Sequence, residues 1–371
     1  MEKTNVLILT PSLHIGGLEM VIAHICRFID KERFTIQVCC LKELGSIGNS
    51  LLNDGISVVA LKKPKYLKNN YTSWLQVLTI VRSRNIHVVH SHTLDSLIDG
   101  ALCKFGRRKL RLVHTFHFGN YPNIRSKYLY METLFCRFAD KLVAVGDEQK
   151  QKIRLALGIK DANLLTLLNG VPQLKRAPAC ALVEQYRRPG TVVVGTVCTL
   201  IEQKGLTDLL DVACLLKNRK VKAVYLVAGE GHLRKDLEDR IKALELGDDV
   251  VLLGRVDRAA EAFLPCIDIF FLPSLWEAMS VVVLEAMGAG KPVVVTNVGE
   301  NRHVITDTVD GFLAEPRDVE ALARIMEGLI QNGEVRSQVG ARAELTIRTR
   351  FSVERMVSAY EQLYAGAPLL R

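Results

Sequence analysis

Two carboxylates eight residues apart, Glu277 and Glu285, carry the strongest chemical signal in this sequence. They lie in PSLWEAMSVVVLEAMGAGKPVVVT, residues 273–296. Glu277 follows the apolar run DIFFLP and precedes a helical stretch; Glu285 falls inside that stretch. First-turn backbone N–H groups of a helix have no helical carbonyl to bond. Those near Met279, Ser280 and Val281 therefore suit a phosphate or sugar oxygens. A carboxylate accepts two hydroxyl hydrogens, and the vicinal hydroxyls of a ribose or hexose fit that capacity. The bland alternative makes Glu285 a solvated helix residue and Glu277 a charge that offsets the helix dipole. Against it, VVVL, AM and GAG around Glu285 read as core.

Three further segments follow strand-like runs. PSLHIGGLEM places Gly16 and Gly17 at a helix opening, where glycine lets an anion approach the backbone; a ligand-free tight turn explains a GG pair equally well. The pattern is not G-x-G-x-x-G, so a nicotinamide cofactor is not indicated. TLIEQKGLTDLL puts Lys204 and Gly205 at another helix start. The lysine is a point charge for a diphosphate, or simply solvated. His90, His92, His114 and His117 cluster in VVHSHT and VHTFHF. Strand alternation sets His90 and His92 on one side. Imidazoles there touch a hydroxyl or a phosphate, or merely satisfy backbone groups. Zinc is disfavoured, since no carboxylate or thiolate stands at a suitable spacing.

The elements that must position these residues are strands alternating with helices. The first half reads NVLILT (5–10), FTIQVCC (34–40), HVVH (87–90), RLVHT (111–115) and KLVAV (141–145). The second reads TVVVGTV (191–197), AVYLVAG (223–229), DVVLLG (249–254), DIFFLP (268–273) and PVVVT (292–296). Such Val-, Ile- and Leu-rich runs between helical patterns mean parallel strands buried on both faces, the doubly wound α/β arrangement. Ligands bind there at the carboxyl ends of the strands. The length of 371 residues suits two domains. Prolines and basic residues near 169–190 set the boundary between domains 1–173 and 174–351. An amphipathic helix, 352–371, leaves open a return to the first domain.

Nine cysteines without a C-x-x-C pair read as buried thiols, Cys39, Cys40, Cys198 and Cys214 among them. No apolar run spans a bilayer, and the N-terminus lacks a signal peptide's long apolar stretch, so a cytoplasmic location is expected. The net charge of +9 is uneven. Residues 1–173 hold 24 Lys and Arg against 13 Asp and Glu; the remainder holds 25 against 27. The basic half suits an anionic partner or is simply a lysine-rich surface. No nucleic-acid-binding motif accompanies the charge.

Together these segments resemble glycosyltransferase family 4, retaining enzymes with the GT-B fold. The carriers are E-x7-E at Glu277–Glu285, the GG after the first strand, TFH at 115–117, NGV at 169–171, QKG at 203–205, GEG at 229–231, LGRV at 253–256 and EAMGAGKPVV at 285–294. They cover nearly the whole chain in the family's order. The resemblance implies two Rossmann-like domains facing a central cleft. It implies that Gly16 and Gly17 approach the donor diphosphate or sugar, that His117 lies beside the donor sugar at the reacting centre, and that Lys204 neutralises the diphosphate. Val256 would sit near the base, Glu277 on the transferred sugar and Glu285 on the ribose hydroxyls. No metal cofactor is implied, and the sequence has no D-x-D element near a strand end. The implied reaction moves a hexose-type sugar from a UDP- or GDP-linked donor to a saccharide or lipid-linked acceptor, in surface polysaccharide or glycolipid biosynthesis.

Departures from the family's pattern keep other readings open. Thr199 stands where an arginine is usual, a loss of roughly 1–3 kcal/mol for one charged hydrogen bond. Glu300 replaces a common glycine and His303 a common glutamate; Arg302 is a candidate for the missing charge. A non-catalytic nucleotide-sugar-binding scaffold subunit is the alternative. A sugar-nucleotide epimerase shares the architecture but is not expected to carry E-x7-E with QKG. On the acceptor side, KKPKYLKNNYTSWLQVL (62–78) and KFGRRKLR (104–111) mix basic residues with Tyr66, Tyr71 and Trp74. That mixture suits an anionic membrane surface, or an ordinary solvent-facing loop and helix.

Overall fold

The computed structural model describes residues 3–62, 72–174 and 180–367. Lys63, Lys65, Tyr66 and Tyr71 of the basic aromatic stretch lie outside them, as does the end of the C-terminal segment from residue 368. The chain divides into two units, Met1–Gly170 with Val353–Arg371, and Val171–Ser352.

The first unit is built on seven strands: β1 (Thr4–Ser12), β2 (Phe34–Glu43), β3 (Ser57–Ala60), β4 (Val88–Ser91), β5 (Arg111–Phe116), β6 (Lys141–Ala144) and β7 (Leu164–Thr166). They pair in parallel in the order β3-β2-β1-β4-β5-β6-β7. Central β1 buries Val6, Leu7, Ile8 and Leu9 completely, as a strand covered on both faces must. The order reverses between β1 and β4, so the chain leaves these neighbours in opposite directions and opens a crevice at their carboxyl ends. Gly16 and Gly17 follow one of these strands and His92 the other. Helix Val353–Ala365 packs against helix Gly17–Phe28. Its buried face, Val353, Met356, Val357, Tyr360 and Tyr364, has the three- and four-residue spacing of one helical stripe. Arg111 donates to the carbonyls of Leu363 and Tyr364 at its C-terminal end, where a cation offsets the helix dipole.

The second unit has six parallel strands: β8 (Val192–Val197), β9 (Ala223–Ala228), β10 (Val250–Gly254), β11 (Ile269–Leu272), β12 (Val293–Thr296) and β13 (Phe312–Ala314). Their order is β10-β9-β8-β11-β12-β13. The reversal falls between β8 and β11, so the segments holding Thr199 and Lys204, after β8, and Glu277, after β11, emerge side by side.

All ten strands expected from the apolar runs are present. Three more, β3, β7 and β13, lie at sheet edges and are three or four residues long. None of the nine cysteines is in a disulfide. Seven are buried, but Cys214, read as buried from its apolar context, is only half-buried on its helix.

Candidate active site

In the second unit the site grows from the loop that follows β11. Glu277 is held there by three donors. Lys204 Nζ lies 2.6 Å and Ser274 Oγ 2.8 Å from its Oε1, and Gln203 Nε2 lies 3.3 Å from Oε2. Gln203 also donates to the Trp276 carbonyl at 3.0 Å and accepts from the Leu275 amide at 2.7 Å, so the QKG turn is laced to the PSLWE loop. The Lys204 and Glu277 side chains are only 15% and 8% exposed. An ammonium has three donors, so Lys204 has capacity beyond Glu277.

Gly205 makes this approach geometrically possible. Its φ is +61°, and a Cβ there would stand 1.9 Å from the Pro273 carbonyl oxygen. A Gly205→Ala variant is expected to lose well over about 1 kcal/mol of stability, because the backbone is both left-handed and pressed against a carbonyl. Urea-unfolding midpoints check this; a midpoint equal to wild type would show that the turn relaxes freely.

The GEG loop seats in a similar way. A Cβ on Gly229 or Gly231 would strike the carbonyl of Cys198 or Leu200, at 1.8 Å and 2.3 Å. The Leu200 amide donates to the Glu230 carbonyl at 3.0 Å. Between buried Cys198 and Leu200, Thr199 is exposed, so the position of the usual arginine faces solvent. On the other flank Gly299 has φ +52°, and a Cβ would stand 2.4 Å from the Glu277 carbonyl oxygen. The Glu300 amide donates to the Ala278 carbonyl at 2.9 Å, and Glu300 is buried. Glu300 therefore lies against the Glu277 loop. Arg302 and His303 are exposed; the Arg302 guanidinium donates to the Asn297 carbonyl at 3.2 Å.

Ser280, in extended conformation, precedes helix Val281–Gly288, so Met279, Ser280 and Val281 form its N-terminal approach. Glu285 sits within that helix and is buried. Desolvation, with Glu261 adding repulsion, pushes its carboxyl up to about 8. Among the described residues its side chain has no hydrogen-bond or ion-pair partner. A buried carboxyl without a partner is costly. Val256, half-buried, follows β10.

In the first unit Gly16 is extended and Gly17 opens helix Gly17–Phe28. The carboxylate of Glu19 lies across Gly16: a Cβ on Gly16 would stand 2.3 Å from its Oε2. Burial raises the Glu19 pKa. The E of GGLE was a visible but unused signal for this residue, as was the Ser of PSLWE for Ser274.

The four histidines occupy one buried region but bond in separate pairs. His90 Nδ1 meets the Tyr364 hydroxyl at 2.7 Å, and its Nε2 meets Thr115 Oγ1 at 2.8 Å. Thr115 Oγ1 also meets the Tyr360 hydroxyl at 3.2 Å. His114 Nδ1 pairs with Ser91 Oγ at 3.0 Å. His92 Nδ1 pairs with His117 Nε2 at 2.9 Å, their rings stacked. Burial pulls His114 and His117 down to about 3 and holds His90 and His92 well below the usual imidazole range, so all four are neutral at pH 7. Among the described residues no group of three or more His, Cys, Asp or Glu is arranged to hold a metal ion.

Two Rossmann-like parallel sheets, each with a glycine-opened turn at its reversal point, make up the GT-B fold. Residues 15–173 match the model for Glycosyltransferase Family 4, and residues 183–346 match the model for Glycosyl transferases group 1. The chain belongs to glycosyltransferase family 4 and is a glycosyltransferase. It is 26% identical over 340 residues to the UDP-Gal:alpha-D-GlcNAc-diphosphoundecaprenol alpha-1,3-galactosyltransferase of Escherichia coli, covering 86% of this chain and 87% of that one. It is 23% identical to the capsular polysaccharide biosynthesis glycosyltransferase CapM of Staphylococcus aureus, over 91% of each chain. Among solved structures, Anabaena Alr3699/HepE in complex with UDP-glucose superposes with a TM-score of 0.86 at 21% identity, covering 98% and 99% of the two chains.

Proposed function

We propose that this enzyme moves a hexose-type sugar, with retention of configuration, from a UDP- or GDP-linked donor to a saccharide or lipid-linked acceptor in surface polysaccharide or glycolipid biosynthesis. The observation that carries the proposal is a pair of buried carboxyls, Glu277 in the loop before helix Val281–Gly288 and Glu285 within that helix. Glu277 is fixed by Lys204, Ser274 and Gln203; Glu285 is buried and has no partner of its own among the described residues. The relatives named above, one using UDP-Gal and one crystallised with UDP-glucose, support a nucleotide-sugar donor.

In this reading Glu285 accepts the ribose hydroxyl hydrogens and Val256 packs near the base. Lys204 and the amides near Met279, Ser280 and Val281 draw off charge from the leaving diphosphate, where fixed dipoles and cations stabilise a transition state most. Gly16 and Gly17 give the diphosphate or sugar close access to backbone N–H groups. Glu277 orients the transferred sugar and His117 lies beside it. The leaving phosphate takes the acceptor's proton on the face from which it departs. A donor and acceptor pair identified by screening tests the stereochemistry: the product's anomeric proton coupling should match the donor's, and an inverted product would refute retention.

The basic first half is proposed to meet an anionic membrane or acceptor surface. Lys62, Arg108 and Lys109 are exposed, as is Phe105, whereas Trp74 is half-buried against the core. Among the described residues no helix is long and apolar enough to cross a membrane. Neutralising Lys62, Lys63 and Lys65 together should weaken binding to phosphatidylglycerol vesicles, each charge contributing about 1 kcal/mol near such a surface. Unchanged co-sedimentation would remove this stretch from any membrane contact.

A further inference from the structure

We infer that His92 is a positioning residue that fixes the tautomer of His117, so that His117 presents a hydrogen-bond donor, and not a base, at its open nitrogen. The inference rests on the proposed place of His117 beside the donor sugar. Its first test does not.

The argument is an accounting of protons. His92 Nδ1 and His117 Nε2 stand 2.9 Å apart, so one proton lies between them. Both rings are neutral, held so by burial; for His92 the neighbouring imidazoles of His90, His117 and His114 add to it. Each ring therefore carries a single N–H. His92 Nε2 is buried and has no hydrogen-bond partner among the described residues. None of the neighbouring imidazoles supplies one. His90 lies against His92 with ring centroids 4.0 Å apart, but its nitrogens are engaged by Tyr364 and Thr115. His114 Nδ1 is engaged by Ser91.

Two arrangements remain. If His117 Nε2 donates, His92 must carry its own proton on Nε2, a buried N–H with no acceptor. If His92 Nδ1 donates, His92 Nε2 is only an unused lone pair. Orphaned buried N–H groups are the rarer and costlier case. His92 therefore donates, and the proton of His117 sits on Nδ1. That atom is not among the fully buried unpaired ones. In this tautomer His117 cannot take a proton from a substrate hydroxyl at Nδ1; it can only donate to an oxygen lone pair. His92 acts through His117 and touches no substrate.

Long-range ¹H–¹⁵N correlation spectra of the ligand-free full chain, labelled with ¹⁵N-histidine, test this directly. His117→Gln assigns the His117 signals by their loss. Wild type should show His117 protonated on Nδ1 and bare at Nε2; protonation on Nε2 overturns the inference. His92→Asn places an amide near the former Nδ1 and should keep the pattern. His92→Phe removes the donor and should shift His117 towards the Nε2–H form; an unchanged pattern in that variant would also overturn it. If His92→Phe does not fold, the wild-type pattern still decides. In turnover assays His92→Phe should lower kcat roughly three- to tenfold with the donor KM within about threefold, the size of one neutral hydrogen bond lost in the transition state. His92→Asn should restore most of kcat. A chain that proves inactive would defeat the functional reading and leave the spectra to judge the tautomer.

Discussion

Replacing Glu285 by glutamine should weaken nucleotide binding and stabilise the fold, the stabilisation growing with pH. The stability arm follows from burial. The carboxyl titrates near 8 in the folded protein and near 4.5 when unfolded. A group with a raised folded pKa holds more protons in the native state. Its favourable contribution is complete below about pH 4.5 and is lost as the pH rises through 8, at about 1.4 kcal/mol per unit across that window. Glutamine has the same shape and no proton to lose, so variant and wild type should match near pH 4.5 and diverge above it. The binding arm has the opposite sign. Two ribose hydroxyls donating to a carboxylate are worth roughly 1.5–3 kcal/mol, a ten- to hundredfold loss of affinity when the charge is removed. Nucleotide binding to wild type at pH 7 should also release a proton, since hydroxyl donors favour the ionised form. Urea unfolding between pH 5 and 8 and calorimetry in buffers of different ionisation enthalpy measure the two arms. Parallel stability curves would show that Glu285 is not desolvated; equal affinities would remove it from the ribose.

Replacing Lys204 by methionine should be the most damaging single change in the second unit. Glu277 would keep Ser274 and Gln203 but lose its only counter-ion among the described residues. Removing one partner of a buried ion pair typically costs 3–5 kcal/mol, because the other charge stays buried. Transfer should fall at least a hundredfold, the usual size of one transition-state electrostatic contact. The double variant Lys204→Met with Glu277→Gln separates these effects. Stability should largely return, since no unpaired charge remains, while turnover should not. Recovery of turnover would remove both Lys204 from the diphosphate and the Glu277 carboxylate from the transferred sugar.

The parts of this molecule that sequence reveals are those whose cause is local. Runs such as VLIL and VVVG are apolar because both faces of a central strand are covered, and every such strand was legible. SVVA and FLA sit at sheet edges, where one side of the ladder is open and the run is short, so they carry little signal. In the candidate site, Glu277 and Lys204 were legible through their place after strands, and Glu285 through its place in an apolar helical run. That Lys204 binds Glu277 was not, because the contact joins residues 73 apart through a turn whose geometry rests on Gly205. The histidines were visible as a cluster, but not their division into pairs. The Tyr364 that engages His90 arrives from the far end of the chain. Glu300 reads as a substitution in sequence; the Gly299 turn is what presses it against the Glu277 loop.

The central claim is that this chain binds a nucleotide sugar for transfer. Calorimetric titration of the wild-type protein with UDP, GDP and ADP and their common sugar conjugates, without metal and then with magnesium, tests it most directly. The account predicts that one nucleotide sugar binds tightly without metal and that its affinity drops in Glu285→Gln. Failure of every one of them to bind, with or without magnesium, would contradict it. Thr199 and Glu300 would then mark a site that no longer holds a donor, and the scaffold reading would take its place.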